Sequence, residues 1–343
     1  MAVPVGCRLS SGYPAAPFAG VSRLRRKVIF TSLSTMKIAF TGKGGSGKST
    51  LAALFVGYLR AGGHRVLAVD ADVNVHLASL LGVAADAASA LSHPDNVASV
   101  RRHLLGANAL VGGVERFVAT TPPGPGSRLV TLDSADAVLA GHATALDERT
   151  HVMHVGTYEP EDIGAGCYHG HLAVLENLLS HLEPGDGDWV VCDMVAGTDA
   201  FANSLHAQFD AIVVVVEPTP ESVTVARRYR ELAAAAGVSD LVVFVGNKVM
   251  DEVDVDYLNR ELGAEPLTVL PAQARLRRAR QSGSCPSIDD LDDVTPLRAI
   301  AEHVRPMPAE RRSSQLRALH LKLAERDWVR SAYGDVTGQL PYS

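Results

Sequence analysis

The sequence predicts an α/β fold: a mostly parallel, doubly wound sheet with helices on both faces. From Met36 onward, short runs rich in β-branched residues alternate with segments of helical periodicity, which is typical of parallel sheets joined by crossover helices. Several of these runs are apolar throughout, such as Ala211–Val216, as strands buried on both faces require. We therefore expect about seven or eight strands, with ligands bound at their carboxyl ends.

Seven strands and six helices are predicted over the main part of the chain. The strands are expected at 37–41, 65–70, 151–155, 189–193, 211–216, 241–246 and 267–270. The helices are expected at 48–61, 170–182, 200–208, 221–235, 254–261 and 271–281.

The composition is that of a globular protein. Of 343 residues, 47% are hydrophobic and 20% charged, and the net charge is −6, which argues against a protein that coats nucleic acid with its whole surface. The four cysteines form no CxxC pair, and no apolar run approaches the roughly 20 residues that span a bilayer. We expect a cytoplasmic protein.

The chain is expected to have one main domain with additions. Residues 1–35 lack Asp and Glu and carry several basic residues, so they are interpreted as disordered, either as a targeting segment or as an extension from a start codon assigned too early. Residues 36–305 would form the domain. Within it, residues 83–150 interrupt the strand–helix rhythm and are interpreted as an insertion of helices and loop. Residues 306–343 would add a C-terminal helix near 309–330 and a polar tail.

One motif binds phosphate groups by a known physical mechanism. Residues 42–49 fit the pattern G-x-x-x-x-G-K-[ST] at every position, after a predicted strand and at the start of a predicted helix. The glycines let successive N–H groups face the phosphates, and the helix N-terminus adds its positive end. Lys48 is expected to bridge the β- and γ-phosphates, and Ser49 to hold Mg²⁺. The residues expected to bind nucleotide here are Gly42, Gly44, Gly45, Ser46, Gly47, Lys48, Ser49 and Thr50.

A second lysine in the motif, Lys43, indicates a particular family of phosphate-binding proteins. With Lys43, residues 43–49 resemble the deviant Walker A motif of the MinD, ParA and nitrogenase iron protein family. The resemblance implies an ATPase that uses ATP and Mg²⁺ and works as a homodimer, in which Lys43 reaches the nucleotide of the partner subunit. A cation supplied by a partner stabilises charge on the transferring phosphoryl group, as an arginine finger does.

Three more segments match that family in the expected order along the chain. After the second strand, Asp72 would orient the attacking water. After the fourth, Asp193 would hold Mg²⁺ and the Gly197 amide would sense the γ-phosphate. After the sixth, the Asn247–Lys248 turn would bind adenine, with the Asn247 side chain reading the base. The resemblance thus implies four catalytic residues: Lys43, Lys48, Asp72 and Asp193.

Some details resemble one branch of the family. Residues 152–156, 164–169 and 216–222 are similar to the nickel-insertion ATPases of carbon monoxide dehydrogenase, the CooC-like proteins. In that group a Cys-x-Cys from each subunit binds metal at the dimer interface, whereas here the second cysteine is replaced, leaving Cys167 and His169. Two copies of this pair would make a Cys₂His₂ site for Ni²⁺ or Zn²⁺. The alternative is that metal binding was lost and the residues only lead into the next helix.

Two functions of different classes follow. The first is a maturation ATPase that acts on a client metalloprotein. The second is a ParA- or MinD-type positioning ATPase, whose partner would be DNA, through the arginines of residues 275–280, or a membrane, through the C-terminal helix. For both segments the simpler interpretation is a solvated or packed helix face. A cobyrinic acid type of synthetase is the last choice, because no nucleophile elbow for a glutaminase domain is present.

Overall fold

The computed structural model describes residues 34–158, 168–201 and 203–341, and this part of the chain is organised around an eight-stranded sheet. The strands are β1 (Met36–Gly42), β2 (Val66–Ala71), β3 (Thr144–Asp147), β4 (Thr150–His154), β5 (Trp189–Met194), β6 (Ala211–Val216), β7 (Val242–Val249) and β8 (Thr268–Pro271). Their order is β3-β4-β2-β5-β1-β6-β7-β8, and every neighbouring pair is parallel except β3 with β4. The seven predicted strands and the fold class are confirmed.

Helices cover both faces of this sheet. They are α1 (Lys48–Ala61), α2 (His76–Leu80), α3 (Pro94–Leu105), α4 (Ala137–His142), α5 (Tyr168–Ser180), α6 (Pro220–Ala236), α7 (Glu252–Leu262), α8 (Ala274–Gln281), α9 (Thr295–His303), α10 (Ala309–Ala324) and α11 (Asp327–Tyr333). Along β1, Ile38 and Phe40 belong to the core formed with α1, α2 and α9. Ala39, between them, belongs to the core formed with α3, α5, α6 and α7. This alternation follows from the pleat, and it explains why the strands are apolar on both faces.

The insertion at residues 83–150 contains a strand that was not predicted. Besides α3 and α4 it includes β3, which pairs with β4 as an antiparallel edge. β3 has four residues and is mostly exposed, so it lacks the apolar run by which the other strands were identified. The insertion also buries Val100, Leu104 and Phe117 in the core under α5, so it is part of the same domain.

The predicted helix at 200–208 was wrong. The described residues of this segment form two short 3₁₀ turns, Asp199–Phe201 and Leu205–Ala207. Asn203 Oδ1 accepts the Leu205 N–H at 3.0 Å, and Glu176 Oε2 accepts the Ser204 N–H at 3.1 Å. Side-chain acceptors of this kind compete with the i→i−4 bonds of a helix.

The predicted C-terminal helix is divided into α10 and α11. Arg326 adopts an extended conformation, which ends the first helix, and Arg330 Nε donates to the Ala324 carbonyl at 3.2 Å. The orphan carbonyl at the end of α10 therefore has a side-chain partner.

The C-terminal segment packs against the insertion. His320 is fully buried, with Nδ1 2.9 Å from Thr120 Oγ1 and Nε2 2.9 Å from the Val336 carbonyl. Ala324 and Val329 share a small apolar cluster with Val118. The amphipathic pattern of this segment is therefore used for packing within the chain. No helix in the described ranges combines the length and hydrophobicity that a membrane span needs.

Glu176 on α5 gives the fold a pH dependence that can be measured. Burial raises the pKa of its carboxyl group from 4.5 to about 8. Across this window the folded chain holds a proton that the unfolded chain has released, so stability falls as pH rises. We expect Glu176→Gln to have a shallower slope than the wild type, because its amide resembles the protonated acid; the raised pKa values of Asp70 and Asp193 keep the rest of the slope. Unfolding free energies from urea titrations at several pH values inside the window test this.

The control for this measurement is Glu265→Gln, at an exposed glutamate. The control is expected to keep the wild-type slope. A Glu176→Gln profile as steep as that of the wild type would show that Glu176 is ionised in the folded protein.

Candidate nucleotide site

The phosphate loop, residues 42–49, lies at the carboxyl edge of the sheet, where β1 ends and α1 begins. Gly42 has φ +148°, and a Cβ there would lie 2.5 Å from the Val215 carbonyl oxygen. Gly47 has φ +92°, and a Cβ there would lie 2.4 Å from Asn247 Nδ2. Both positions require glycine, for conformation and for space.

The tip of the loop is open. Gly44 and Gly45 are exposed, and a Cβ at either would meet no neighbouring group within 4 Å. The Ser46 N–H closes the turn by donating to the Lys43 carbonyl at 3.0 Å, and Lys43 itself is partly exposed. Another molecule can therefore approach the tip without displacing protein atoms.

Lys48 is buried between two carboxylates. Its Nζ forms a hydrogen-bonded ion pair with Asp72, lies 3.5 Å from Asp193 Oδ1 and lies 3.4 Å from Ser49 Oγ. Burial alone would lower the pKa of the Lys48 ammonium group, but the charges of Asp193 and Asp72 outweigh it and raise that pKa. Lys48 is thus a fully charged group whose charge is balanced inside the protein.

The carboxyl groups around Lys48 differ in pKa. Burial, followed by the charge of Asp193, raises the pKa of Asp70, and burial also raises the pKa of Asp193. For Asp72 the effect of burial is outweighed by the Lys48 ammonium and by hydrogen bonds from Asn74, so its pKa is lowered. Asp72 is therefore ionised at neutral pH, whereas the pKa of Asp70 lies above its usual range.

Asp70 positions the segment that follows β2, a role that sequence reasoning missed. Its Oδ1 accepts the Asp72 N–H at 3.3 Å and its Oδ2 accepts the Ala78 N–H at 2.9 Å. Asp70 therefore joins the turn that carries Asp72 to helix α2. The sequence did contain a signal for this role of Asp70. It lies at the end of a strand that is buried on both faces, and a buried acid needs a specific partner.

Asp193 and Ser49 form a donor set that suits Mg²⁺. Both Asp193 carboxylate oxygens are buried without a hydrogen-bond partner in the described part of the chain. Mg²⁺ typically binds through one or two protein oxygens and completes its shell with water and phosphate oxygens. Within the same ranges no three His, Cys, Asp or Glu side chains cluster in a way that holds a metal ion without such help.

The Asn247–Lys248 turn supports the phosphate loop from the β7 side. Asn247 Nδ2 donates to the Ser46 carbonyl at 2.7 Å, and Lys248 Nζ donates to the Gly45 carbonyl at 2.7 Å. Lys248 also pairs with Glu217 at 2.5 Å, a residue that sequence reasoning did not select. The amide nitrogen that was expected to read the base thus binds the loop backbone here.

The remaining nucleotide-binding candidates lie close to the loop. The Gly197 N–H donates to the Gly42 carbonyl at 2.9 Å, so the segment after β5 contacts the start of the loop. Thr50 is buried in the first turn of α1. All of these candidates therefore lie at one edge of the sheet, as the order of motifs predicts.

The transition-metal candidates cannot be placed in the same way. Cys167 and the His169 side chain lie outside the described residues. The next described side chain, Tyr168 at the start of α5, contacts the rings of Tyr158 and His171. Burial raises the pKa of the Tyr168 hydroxyl, and the carboxylates near Lys48 add to the effect. The start of α5 is therefore close to the acidic residues of the site.

The chain is similar in sequence to ATP-binding proteins. Residues 37–286 match the family model described as CobQ/CobB/MinD/ParA nucleotide binding domain. The carbon monoxide dehydrogenase accessory protein CooC of Rhodospirillum rubrum is 31% identical over 252 residues, which cover 73% of this chain and 89% of that protein. An uncharacterized ATP-binding protein of Methanocaldococcus jannaschii is 29% identical over 257 residues, covering 74% of this chain and 92% of its own.

Solved structures share the fold. A ParA family ATPase from Chlorobium tepidum superposes with a TM-score of 0.52 at 14% identity, covering 74% of this chain and 91% of its own. The apo structure of McdA from Cyanthece gives a TM-score of 0.50 at 15% identity, covering 78% of this chain and 98% of its own.

The two roles of Asn247 can be separated by mutation. If its side chain supports the loop, Asn247→Ala weakens binding of ATP and of inorganic tripolyphosphate by the same factor, about 5-fold, because one hydrogen bond to the loop is lost. Isothermal titration calorimetry with both ligands measures this.

Asn259→Ala on α7 serves as the control and is expected to leave both affinities unchanged. A loss confined to ATP would instead assign the Asn247 side chain to the adenine base.

Proposed function

The chain belongs to the CobQ/CobB/MinD/ParA nucleotide-binding family, and we propose that it is an ATP-hydrolysing switch that acts as a homodimer and supports maturation of a client metalloprotein. The observation that carries the ATPase assignment is the position of Lys48, whose charge is held by Asp72 and Asp193 at the start of α1. An ammonium group at this place, beside a glycine-rich loop and a helix N-terminus, has the chemistry to bind phosphate.

Phosphate binding changes the partners of Lys48. The β- and γ-phosphate oxygens compete with Asp72 for the ammonium group, whose pKa is raised by Asp193 and Asp72. When Lys48 moves to the phosphates, Asp72 remains an ionised carboxylate next to the γ-phosphate. It then accepts a hydrogen bond from the attacking water and orients it. Lys48 thereby couples nucleotide binding to the release of the residue that acts on water.

The metal ion has a defined place in this scheme. Ser49 and Asp193 would hold Mg²⁺, because the Asp193 carboxylate oxygens are buried and not hydrogen-bonded in the described part of the chain. Held by these residues, Mg²⁺ would supply positive charge to the phosphate groups.

The Gly197 N–H is the group that changes its hydrogen-bond partner when nucleotide binds. This N–H is bound to the Gly42 carbonyl at 2.9 Å, so it has to leave that acceptor before it can donate to a γ-phosphate. The segment after β5 therefore has two alternative partners, one in the loop and one on the nucleotide. A change of partner near the γ-phosphate is the usual basis of a nucleotide switch.

In the homodimer, each copy provides its Lys43 to the nucleotide of the other copy. The loop tip is exposed, and no carboxylate in the described part of the chain forms an ion pair with the Lys43 ammonium group. This lysine is suited to act on the nucleotide of a second copy, where its charge stabilises the transferring phosphoryl group.

The maturation role rests on similarity to the CooC accessory protein and on Cys167 and His169. Two copies of this pair make a Cys₂His₂ set that suits Zn²⁺ or Ni²⁺ as cargo. The next residue, Tyr168, lies near the acidic residues of the nucleotide site. This arrangement supports coupling between ATP and metal cargo.

One observation favours the alternative, a positioning ATPase that binds DNA. Helix α8 exposes Arg277 and Arg278, whereas Arg275 pairs with Asp292 at 2.5 Å. Two free arginines are a small patch for phosphate-backbone binding. Salt-sensitive DNA binding by the ATP-loaded protein, without metal binding, would favour this alternative.

Two lysine substitutions test the ATPase mechanism. We expect Lys48→Ala to abolish ATP binding, because it removes the buried phosphate ligand. Lys43→Ala is expected to keep ATP binding but to lower the hydrolysis rate about 100-fold, the effect of losing one group that stabilises the transition state. Phosphate release and calorimetric titration measure the two properties.

The control for both variants is Lys322→Ala, at an exposed lysine of α10. For the wild type, the rate per chain should rise with protein concentration until dimers saturate. A rate per chain that is independent of concentration, together with an active Lys43→Ala, would contradict action in trans.

Metal binding is tested by equilibrium dialysis of Ni²⁺ and Zn²⁺ against the protein, with and without ATP and Mg²⁺. We expect about one ion per dimer, lost in Cys167→Ser because thiolate is the stronger ligand of the pair. Cys285→Ser is the control and should bind as the wild type does. Absence of binding in the wild type under both conditions would remove the metal cargo and leave an ATP switch with a different client.

A further inference from the structure

Arg280 connects helix α8 to the helix that follows the phosphate loop. Its Nη1 donates to Thr50 Oγ1 at 2.5 Å, and the Thr50 side chain is buried in the first turn of α1. Arg275, on the same helix, pairs with the carboxylate of Asp292. In the described part of the chain no carboxylate forms an ion pair with Arg280, whose hydrogen bond goes to a neutral hydroxyl.

The positive charge around Arg280 favours the binding of an anion. The N-terminal end of α1 carries partial positive charge from its free N–H groups, and it is followed directly by the ammonium of Lys48. The guanidinium group of Arg280 is exposed beside this end of the helix, so an anion can reach both from solvent. It also has five N–H donors in a planar fork, of which the Thr50 hydroxyl uses one. A phosphate group satisfies both the charge and the remaining donors.

The sheet topology indicates which phosphate this is. Lys48 points to Asp72 and Asp193, which follow or end β2 and β5, on one side of β1. Helix α8 follows β8, which lies beyond β6 and β7 on the other side of β1. The two cations therefore approach the loop from opposite sides. If Lys48 takes the β- and γ-phosphates, Arg280 lies toward the α-phosphate.

We propose that Arg280 binds the α-phosphate of the nucleotide and sets the affinity for ATP and ADP alike, without contributing to γ-phosphate chemistry. This inference rests on the proposed nucleotide-binding function. Arg280 anchors the part of the nucleotide that does not change in hydrolysis. It therefore keeps ADP bound after phosphate has left.

The test compares ATP and ADP binding to the full chain by isothermal titration calorimetry. We expect Arg280→Ala to raise both dissociation constants by the same factor, about 10-fold, the effect of losing one hydrogen bond from a charged donor. In steady-state kinetics the KM for ATP is expected to rise, because Arg280 acts on nucleotide binding. Arg280→Lys, which keeps the charge but not the fork, should lose less.

Arg278→Ala is the matched control, because Arg278 is exposed on the same helix, as Arg280 is, whereas the hydrogen bond to Thr50 comes from Arg280; this variant should leave both affinities unchanged. Thermal melting of Arg280→Ala without nucleotide reveals whether the variant has lost α8. If it has, the affinities of Arg280→Lys are compared with those of the wild type instead. Equal affinities of Arg280→Ala and wild type, or a loss confined to ATP, would overturn the α-phosphate assignment alone. A wild-type chain that binds neither nucleotide would overturn the proposed function as well.

Discussion

The site depends on a charge balance among three buried carboxyl groups and one buried ammonium group. Asp70, Asp72 and Asp193 are at most 1% exposed, and Lys48 is the cation that lies among them. Buried ions are costly unless they are paired, so Lys48 stays with the carboxylates until another anion replaces them. A nucleotide is such an anion, and in the proposed mechanism it replaces Asp72 as the partner of Lys48. These residues are therefore prepared for phosphate by their own electrostatics.

The order of the strands brings these carboxyl groups close together. β2 and β5 are parallel neighbours, and Asp70 lies directly opposite Asp193 in their register. β1 pairs with β5 on its other side, which brings the phosphate loop to the same edge. Two carboxyl groups this close in a dry environment resist simultaneous ionisation, which raises the pKa of Asp70. The raised pKa of Asp70 is thus a consequence of topology, and its hydrogen bonds hold the turn that carries Asp72.

Features set by contiguous residues could be predicted from the sequence, whereas features set by distant contacts could not. The buried strands, the loop at residues 42–49 and the acids at strand ends follow from local patterns. The edge strand β3 is short and exposed, so its formation depends on pairing with β4. The turn at 203–208 depends on Glu176, which is distant in sequence. Likewise, Asn247 contacts Ser46 across 201 positions, a partner that no local pattern specifies.

The same charge balance supports the proposal that hydrolysis needs a second chain. At the γ-phosphate end, Lys48 faces two acids, Asp72 and Asp193, so a phosphoryl group there meets net negative protein charge. Mg²⁺ offsets part of this charge, but negative charge shifts among the phosphate oxygens in the transition state and requires further cations. Arg280 approaches from the opposite side of the loop. Lys43 stands on the exposed tip, from which it can act on a second molecule. In the proposed homodimer, Lys43 of each copy would supply this charge to the nucleotide of the other.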